Sequence, residues 1–274
     1  MDRSVDAATV PNAFDLTGRV AIVTGSGSGI GLGISQVLAA AGALVVCADV
    51  NGATADAAAQ TIGLAGHQAR AAALDVSCRS DVVDLVRSTV SEHGRLDIMC
   101  NNAGVIGPEV PAIDLTEEAL DGLLAVNLKG VLFGSQEAAK VMIDQGRGSI
   151  VNTASAAIDS PTPSLLAYGI SKVGIVQISR SLAAEVGPRG VRVNVIAPGL
   201  VETNITRRHY TNEDGTTDEA RRDATLSAMR EYAPLKTLGT PEDMGLAALF
   251  LASDASRFIT GQIVRPNGGT AMPW

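Results

Sequence analysis

Aromatic side chains are scarce in this sequence: 274 residues include one Trp, three Tyr and four Phe. The core cannot then be built on large rings. Its apolar content, 46%, has to come from Ala, Val, Leu and Ile, the composition of a parallel sheet buried on both faces. Cysteine is sparse too. Cys47, Cys78 and Cys100 are odd in number and far apart, which argues against a disulfide framework or a zinc site and suits a reducing compartment. Basic residues are outnumbered, 21 Lys and Arg against 29 Asp and Glu, for a formal net charge of −8. A chain without a cationic surplus is not equipped to neutralise the phosphates of nucleic acid or of an anionic membrane. His67, His93 and His209 show no ligand spacing, so no metal is expected. No run of about 18 apolar residues is present, and "MDRSVDAATVPNAF" lacks the apolar stretch of a secretory signal. A soluble cytoplasmic protein is expected, with a loose arm over 1–14 and one domain over 15–274.

What is present is a rhythm. Apolar, β-branched runs at 19–24, 43–49, 69–74, 96–102, 149–154, 191–197 and 261–266 alternate with helical stretches. That alternation predicts an α/β fold with seven strands in an open parallel sheet and helices on both faces. Helical stretches near 116–144 and 165–186 carry small or apolar residues on more than one face, so a second copy of the chain is expected to cover them. Residues 204–232 interrupt the rhythm with a polar, turn-rich segment, either a substrate lid or a solvated insertion. Arg207, Arg208, Arg221 and Arg222 are interleaved there with Glu213, Asp214, Asp218, Glu219 and Asp223, a pattern that predicts a solvated face.

Three local patterns carry chemistry. "TGSGSGIGLG", Thr24 to Gly33, follows the first strand and opens a helix. It misses the G-x-G-x-x-G spacing but fits T-G-x-x-x-G-x-G through Gly25, Gly29 and Gly31, where glycine lets backbone approach a pyrophosphate at a helix N-terminus. Asp49 ends the second strand. A carboxylate there accepts hydrogen bonds from both ribose hydroxyls and repels a 2′-phosphate, so NAD is expected over NADP; capping the next helix is its plainer role. Ser28, before Gly29, agrees, because no Arg or Lys stands there to pair with the extra phosphate. Tyr168 and Lys172 in "AYGISKVGI" lie four apart, neighbours on one helix face. A cation at ~6 Å in an effective dielectric of ~20 is worth about 2.8 kcal/mol. Bringing a phenol from about 10 to about 7 needs roughly 4 kcal/mol.

Together "TGSGSGIG", "NNAG" at 101–104, Asn127, Ser155, "YGISK" at 168–172 and "PGLVET" at 198–203 resemble the short-chain dehydrogenase/reductase family, over about Leu16 to Gly269. The resemblance implies a doubly wound, Rossmann-type single domain with strand order 3-2-1-4-5-6-7, and a homotetramer or homodimer packed through the two long helices. It implies that Tyr168 is the general acid/base for an alcohol or ketone oxygen, that Ser155 hydrogen-bonds that oxygen, and that Lys172 lowers the phenol and grips the nicotinamide ribose. Asn127 is implied to help hold a water that relays protons from Lys172. Cofactor contacts are implied for Gly25, Ser28, Gly29, Ile30 and Gly31 at the phosphates, Asp49 at the ribose, and Asp75 and Val76 at the adenine. Further contacts are implied for Asn102, Ala103 and Gly104 along the groove, and for Pro198, Gly199, Val201 and Thr203 around the nicotinamide. The family commonly has Asp where this chain has Asn267, a change expected to affect only a surface contact.

The expected function is NAD-dependent hydride transfer between nicotinamide and a secondary alcohol or ketone. Residues 156–166, "AAIDSPTPSLL", are expected to line a pocket for a hydrophobic substrate. The alternatives are a non-catalytic NAD-binding regulator, a 3-oxoacyl-thioester reductase and a nucleotide-sugar epimerase or dehydratase; the chain looks short for the last. Trp274 is expected to dock near a subunit boundary or a neighbouring pocket.

Overall fold

Seven parallel strands hydrogen-bond in the order β3-β2-β1-β4-β5-β6-β7 in the computed structural model, which describes residues 9–212 and 214–273. The strands are β1 (Val20–Thr24), β2 (Leu44–Asp49), β3 (Ala69–Ala73), β4 (Ile98–Asn101), β5 (Gly148–Thr153), β6 (Val191–Ile196) and β7 (Ile263–Val264). Six lie within the runs that the alternation predicts, β5 begins one residue before its run, and the strand order is the implied one.

The two-residue side-chain period of a strand splits the core into two layers. On β1, Ala21 and Val23 pack with Ile34 and Leu38 of α2 (Gly29–Ala40), Ile62 of α3 (Gly52–Leu64) and Leu251 of α10 (Pro241–Ala252). Ile22, between them, packs on the other face with Val82 of α4 (Arg79–His93), Met142 of α6 (Gly130–Gln145) and Ala183 of α7 (Leu166–Val186). Ile22, Ile34 and Leu38 are fully buried, each worth about 1.5–3 kcal/mol of transfer free energy. Asparagines tie the layers to the sheet. Asn101 Nδ2 donates to Asn152 Oδ1 at 2.8 Å, and Asn152 Nδ2 donates to Ser179 Oγ at 2.9 Å, which links β4 through β5 to α7.

Between β4 and β5, α5 (Glu117–Leu124) runs into α6 through a five-residue π turn, Ala125–Lys129. Asn127 sits in this turn with no exposed surface. The polar excursion at 204–232 folds into two helices, α8 (Asn204–Arg207) and α9 (Glu219–Tyr232), with a Thr211–Thr217 bridge between them. Tyr210 and Leu226 anchor it, 1% and 3% exposed. Within the expected N-terminal arm, Thr9–Phe14 forms a short helix, α1, with no buried residue, and residues 1–8 lie outside the described ones. Trp274, whose docking the sequence suggests, also lies outside them. Among the described residues no helix is long and apolar enough to cross a membrane.

Candidate active site

A cleft of about 670 Å³ opens at the C-terminal ends of the strands. It spans the point between β1 and β4 where the sheet reverses its winding, which is where open parallel sheets bind ligands. The glycine loop forms one wall. Gly25 and Gly29 adopt φ of +66° and +53°, left-handed values that side chains rarely tolerate. A Cβ on Gly31 would overlap the Gly25 carbonyl oxygen, so Gly31 closes the loop from behind while Gly25, Ser28, Gly29 and Ile30 face the cleft. Ser28 precedes α2 without a side-chain cap, which leaves first-turn N–H groups to a ligand.

Asp49 closes the far end. Its Oδ2 accepts from Gly27 N at 3.0 Å and its Oδ1 from Asn51 N at 3.0 Å, so the carboxylate braces the glycine loop while lining the cleft. Asn51, not Asp49, caps α3, accepting from the Ala53 and Thr54 amides. Asp75 and Val76 line the same end, and hydrogen bonds from Ser77 hold the Asp75 carboxyl below its ordinary value. Along the floor, Thr24 Oγ1 accepts from the amides of Asn102 and Ala103, each at 3.0 Å, which fixes the 102–104 backbone against β1. Pro198, Gly199, Val201 and Thr203 also line the cleft, with Thr203 against Gly29 of the glycine loop and capping α8.

Ser155, Tyr168 and Lys172 meet at the near end. Lys172 Nζ lies 5.5 Å from the Tyr168 ring centroid and donates to Thr153 O at 3.0 Å. Ser155 follows β5, and its hydroxyl accepts from Ala157 N and bears on the Tyr168 phenol. Lys172 is 4% exposed, and burial pushes its ammonium down to about 8. Here the structure corrects the electrostatics expected from sequence. Burial raises the Tyr168 phenol above its ordinary value, opposed by the Ser155 hydrogen bond and the Arg208 charge. The desolvation of the site outweighs what these neighbours return.

Asn127 stands one layer back. Its Oδ1 accepts from Val105 N at 2.8 Å, and its Nδ2 donates to Val105 O at 2.7 Å and Ser171 Oγ at 3.2 Å. Ser171 Oγ in turn donates to Tyr168 O at 2.7 Å, so the π turn braces the first turn of α7. Only Gly104 separates Asn127 from Lys172: a Cβ there would lie 3.2 Å from Asn127 Oδ1 and 3.5 Å from Lys172 Nζ.

Two expectations fail. None of residues 156–166 lines the cleft. Asp159 is held by Arg265 at 2.7 Å, and Ile158 packs with Ile175 and Val195, so the start of the segment turns toward β7, while Ser164 O accepts from Val110 N at 2.9 Å in the loop after β4. Asn267 is buried rather than at the surface; its Nδ2 donates to Ala271 O at 2.8 Å, and its Oδ1 accepts from Gly269 N. Sequence reasoning also missed Arg208. Arg221 and Arg222 pair with Asp218 and Glu202, as a solvated face requires, but Arg208 turns into the cleft and pairs with Glu109.

A family model described as Enoyl-(Acyl carrier protein) reductase matches residues 25–271. D-threitol dehydrogenase of Mycolicibacterium smegmatis is 37% identical over 256 residues, 93% of this chain and 94% of its own. Among solved structures, a gluconate 5-dehydrogenase from Burkholderia cenocepacia in complex with NADP and tartrate superposes with a TM-score of 0.86 at 31% identity, covering 95% of this chain and 98% of that one. A 7α-hydroxysteroid dehydrogenase complexed with NADH and 7-oxo glycochenodeoxycholic acid gives a TM-score of 0.85 at 31% identity, with 96% and 98% coverage. Motifs, strand order and these matches, each spanning nearly the whole chain, agree: the chain belongs to the short-chain dehydrogenase/reductase family of oxidoreductases.

Proposed function

We propose that the protein is an NAD-dependent oxidoreductase that interconverts a secondary alcohol and its ketone, with Tyr168 as general acid/base. The observation that carries this reading is the polarity of one cleft: Ser155, Tyr168 and Lys172 at one end, Asp49 and the glycine loop at the other. The left-handed glycines and the uncapped helix start fit a pyrophosphate, so the residues present suit a nicotinamide dinucleotide. When bound in its oxidised form, that cofactor supplies a hydride acceptor and a positive ring charge. Tyr168 takes the proton of the substrate hydroxyl, Ser155 hydrogen-bonds the same oxygen, and Lys172 stabilises the phenolate that precedes transfer. Asn127 is a positioning residue, acting through Val105 and Ser171.

The preference for NAD rests on charge. Asp49 lines the adenosine end, while Lys172 and Arg208, the Lys and Arg residues of the lining, stand at the other. A 2′-phosphate would meet a carboxylate and no cation. Members of the family bind either cofactor, as the NADP and NADH complexes above illustrate. Titration with both reduced cofactors tests the point. Asp49→Asn, which keeps an acceptor for the Gly27 amide, is expected to cut the preference for NADH at least ~10-fold, about 1.4 kcal/mol. An unchanged ratio would mean that the ribose is read elsewhere.

Leu166, Ile170 and Val173 leave an apolar stripe on α7, 41–52% exposed. We propose that a second copy of the chain covers it, in a homodimer or homotetramer. Light scattering of Ile170→Glu should report a smaller species than the wild type; equal masses would remove this face from the interface.

A further inference from the structure

A second cavity, of about 540 Å³, opens at the N-terminal ends of the strands and shares no lining residue with the cleft. Arg19, Asp97 and Arg147 each stand one residue before a strand, β1, β4 and β5, and Arg192 is the second residue of β6. Those four strands are consecutive in the sheet, so residues far apart in sequence meet at one rim. Arg257 and Phe258, in the turn before β7, add to the same lining.

Four arginines against two aspartates line the cavity, a local surplus of two positive charges in a chain whose net charge is −8. The aspartates are already engaged. Asp254 pairs with Arg19 at 2.7 Å. Asp97 is gripped by Nε and a terminal nitrogen of Arg95, which leaves Arg147 at 3.6 Å, beyond hydrogen-bond reach. Arg192 has no carboxylate partner. Its terminal nitrogens donate to Leu251 O, Ser253 O and Ser256 Oγ at 2.8–3.1 Å, and burial pushes its guanidinium down to about 10. Arg147 and Arg257 are exposed, and among the described residues neither makes a hydrogen bond through its side chain. Free guanidinium forks beside uncompensated charge suit a phosphate, which accepts bidentate bonds and carries about two negative charges at neutral pH. The volume lies in the range of sites for small organic ligands, roughly 300–1,000 Å³. Val191, Ile259 and the fully exposed ring of Phe258 give it an apolar side.

We infer that this cavity binds a small organic phosphate, with the phosphate on Arg147 and Arg257 and the apolar part against Phe258, independently of the dinucleotide cleft.

Calorimetric titration of the full chain at constant ionic strength tests this, with phenyl phosphate, inorganic phosphate and succinate as probes, each with and without excess NADH. Saturable binding of phenyl phosphate is expected under both conditions. It should be at least ~10-fold tighter than inorganic phosphate, because the ring buries apolar surface, and tighter than succinate, whose carboxylates are spread apart. Arg147→Gln and Arg257→Gln should each weaken it at least ~10-fold, the scale of a lost charge-assisted hydrogen bond. Phe258→Ala should bring phenyl phosphate to the level of inorganic phosphate. All three side chains are exposed, so these variants are expected to fold. Arg87→Gln, on α4 and outside the lining, removes the same charge and should leave the affinity within about twofold. No saturable binding, binding that excess NADH abolishes, succinate bound as tightly as phenyl phosphate, or an equal loss in Arg87→Gln would each overturn the inference. So would an affinity that the Arg147, Arg257 and Phe258 variants leave unchanged.

Discussion

Tyr168→Phe is expected to lower kcat for alcohol oxidation by roughly 10³-fold while NADH affinity stays within about twofold. The substitution removes one oxygen and keeps the ring, so the packing of Lys172 5.5 Å from the ring centroid can persist. What disappears is the group that exchanges a proton with the substrate. A loss of this size is about 4 kcal/mol of transition-state stabilisation, within the range of general acid–base catalysis. Uniform weakening of NADH binding and of turnover would point instead to a structural tyrosine. Survival of the rate would remove Tyr168 from the chemistry.

Lys172→Met should separate stability from activity. Burial holds the Lys172 ammonium at about 8 in the folded chain against 10.5 for a free lysine. Below about pH 8 both folded and unfolded chains carry the proton, and folding bears the full cost of the buried charge, about 3 kcal/mol. The cost shrinks as pH rises toward 10.5, where the unfolded chain releases its proton as well. Stability therefore rises with pH across this window. Methionine removes the charge but leaves Thr153 O without its 3.0 Å donor, a loss of about 1–2 kcal/mol. Denaturant melts at about pH 7 should show a net gain of about 1–2 kcal/mol, alongside a kcat reduced at least ~100-fold. Loss of both stability and activity would mean that the ammonium is well solvated or better bonded than its burial indicates.

The fold was legible where pattern and burial coincide. A run such as VAIVT reads as a strand because all five residues of β1 are buried, and alternate side chains serve opposite layers. The backbone of the glycine loop was legible because its spacing marks where left-handed or closely packed positions need glycine, as Gly25, Gly29 and Gly31 do. Contacts between distant residues were not. The Asp159–Arg265 pair joins residues 106 positions apart, and it holds the start of 156–166 toward the end of β7. Arg208 looked solvated because acids surround it in sequence, whereas its partner, Glu109, lies 99 positions earlier. The π turn at Asn127 was hidden for a different reason: its apolar pattern reads like the helix on either side, and only the backbone bonds distinguish it. The sign of the Tyr168 shift was missed because a charge can be placed from sequence, but the desolvation that opposes it depends on the packed site.

The most direct measurement is the initial rate at which wild-type protein reduces NAD with a secondary alcohol, followed by the near-ultraviolet absorbance of the reduced nicotinamide, as a function of pH. With the Tyr168 phenol held above its ordinary value by burial, the rate is expected to climb with pH throughout the alkaline range, as the phenolate form is populated. A rate indifferent to pH over that range would contradict proton transfer through Tyr168 and leave the cleft without the chemistry assigned to it.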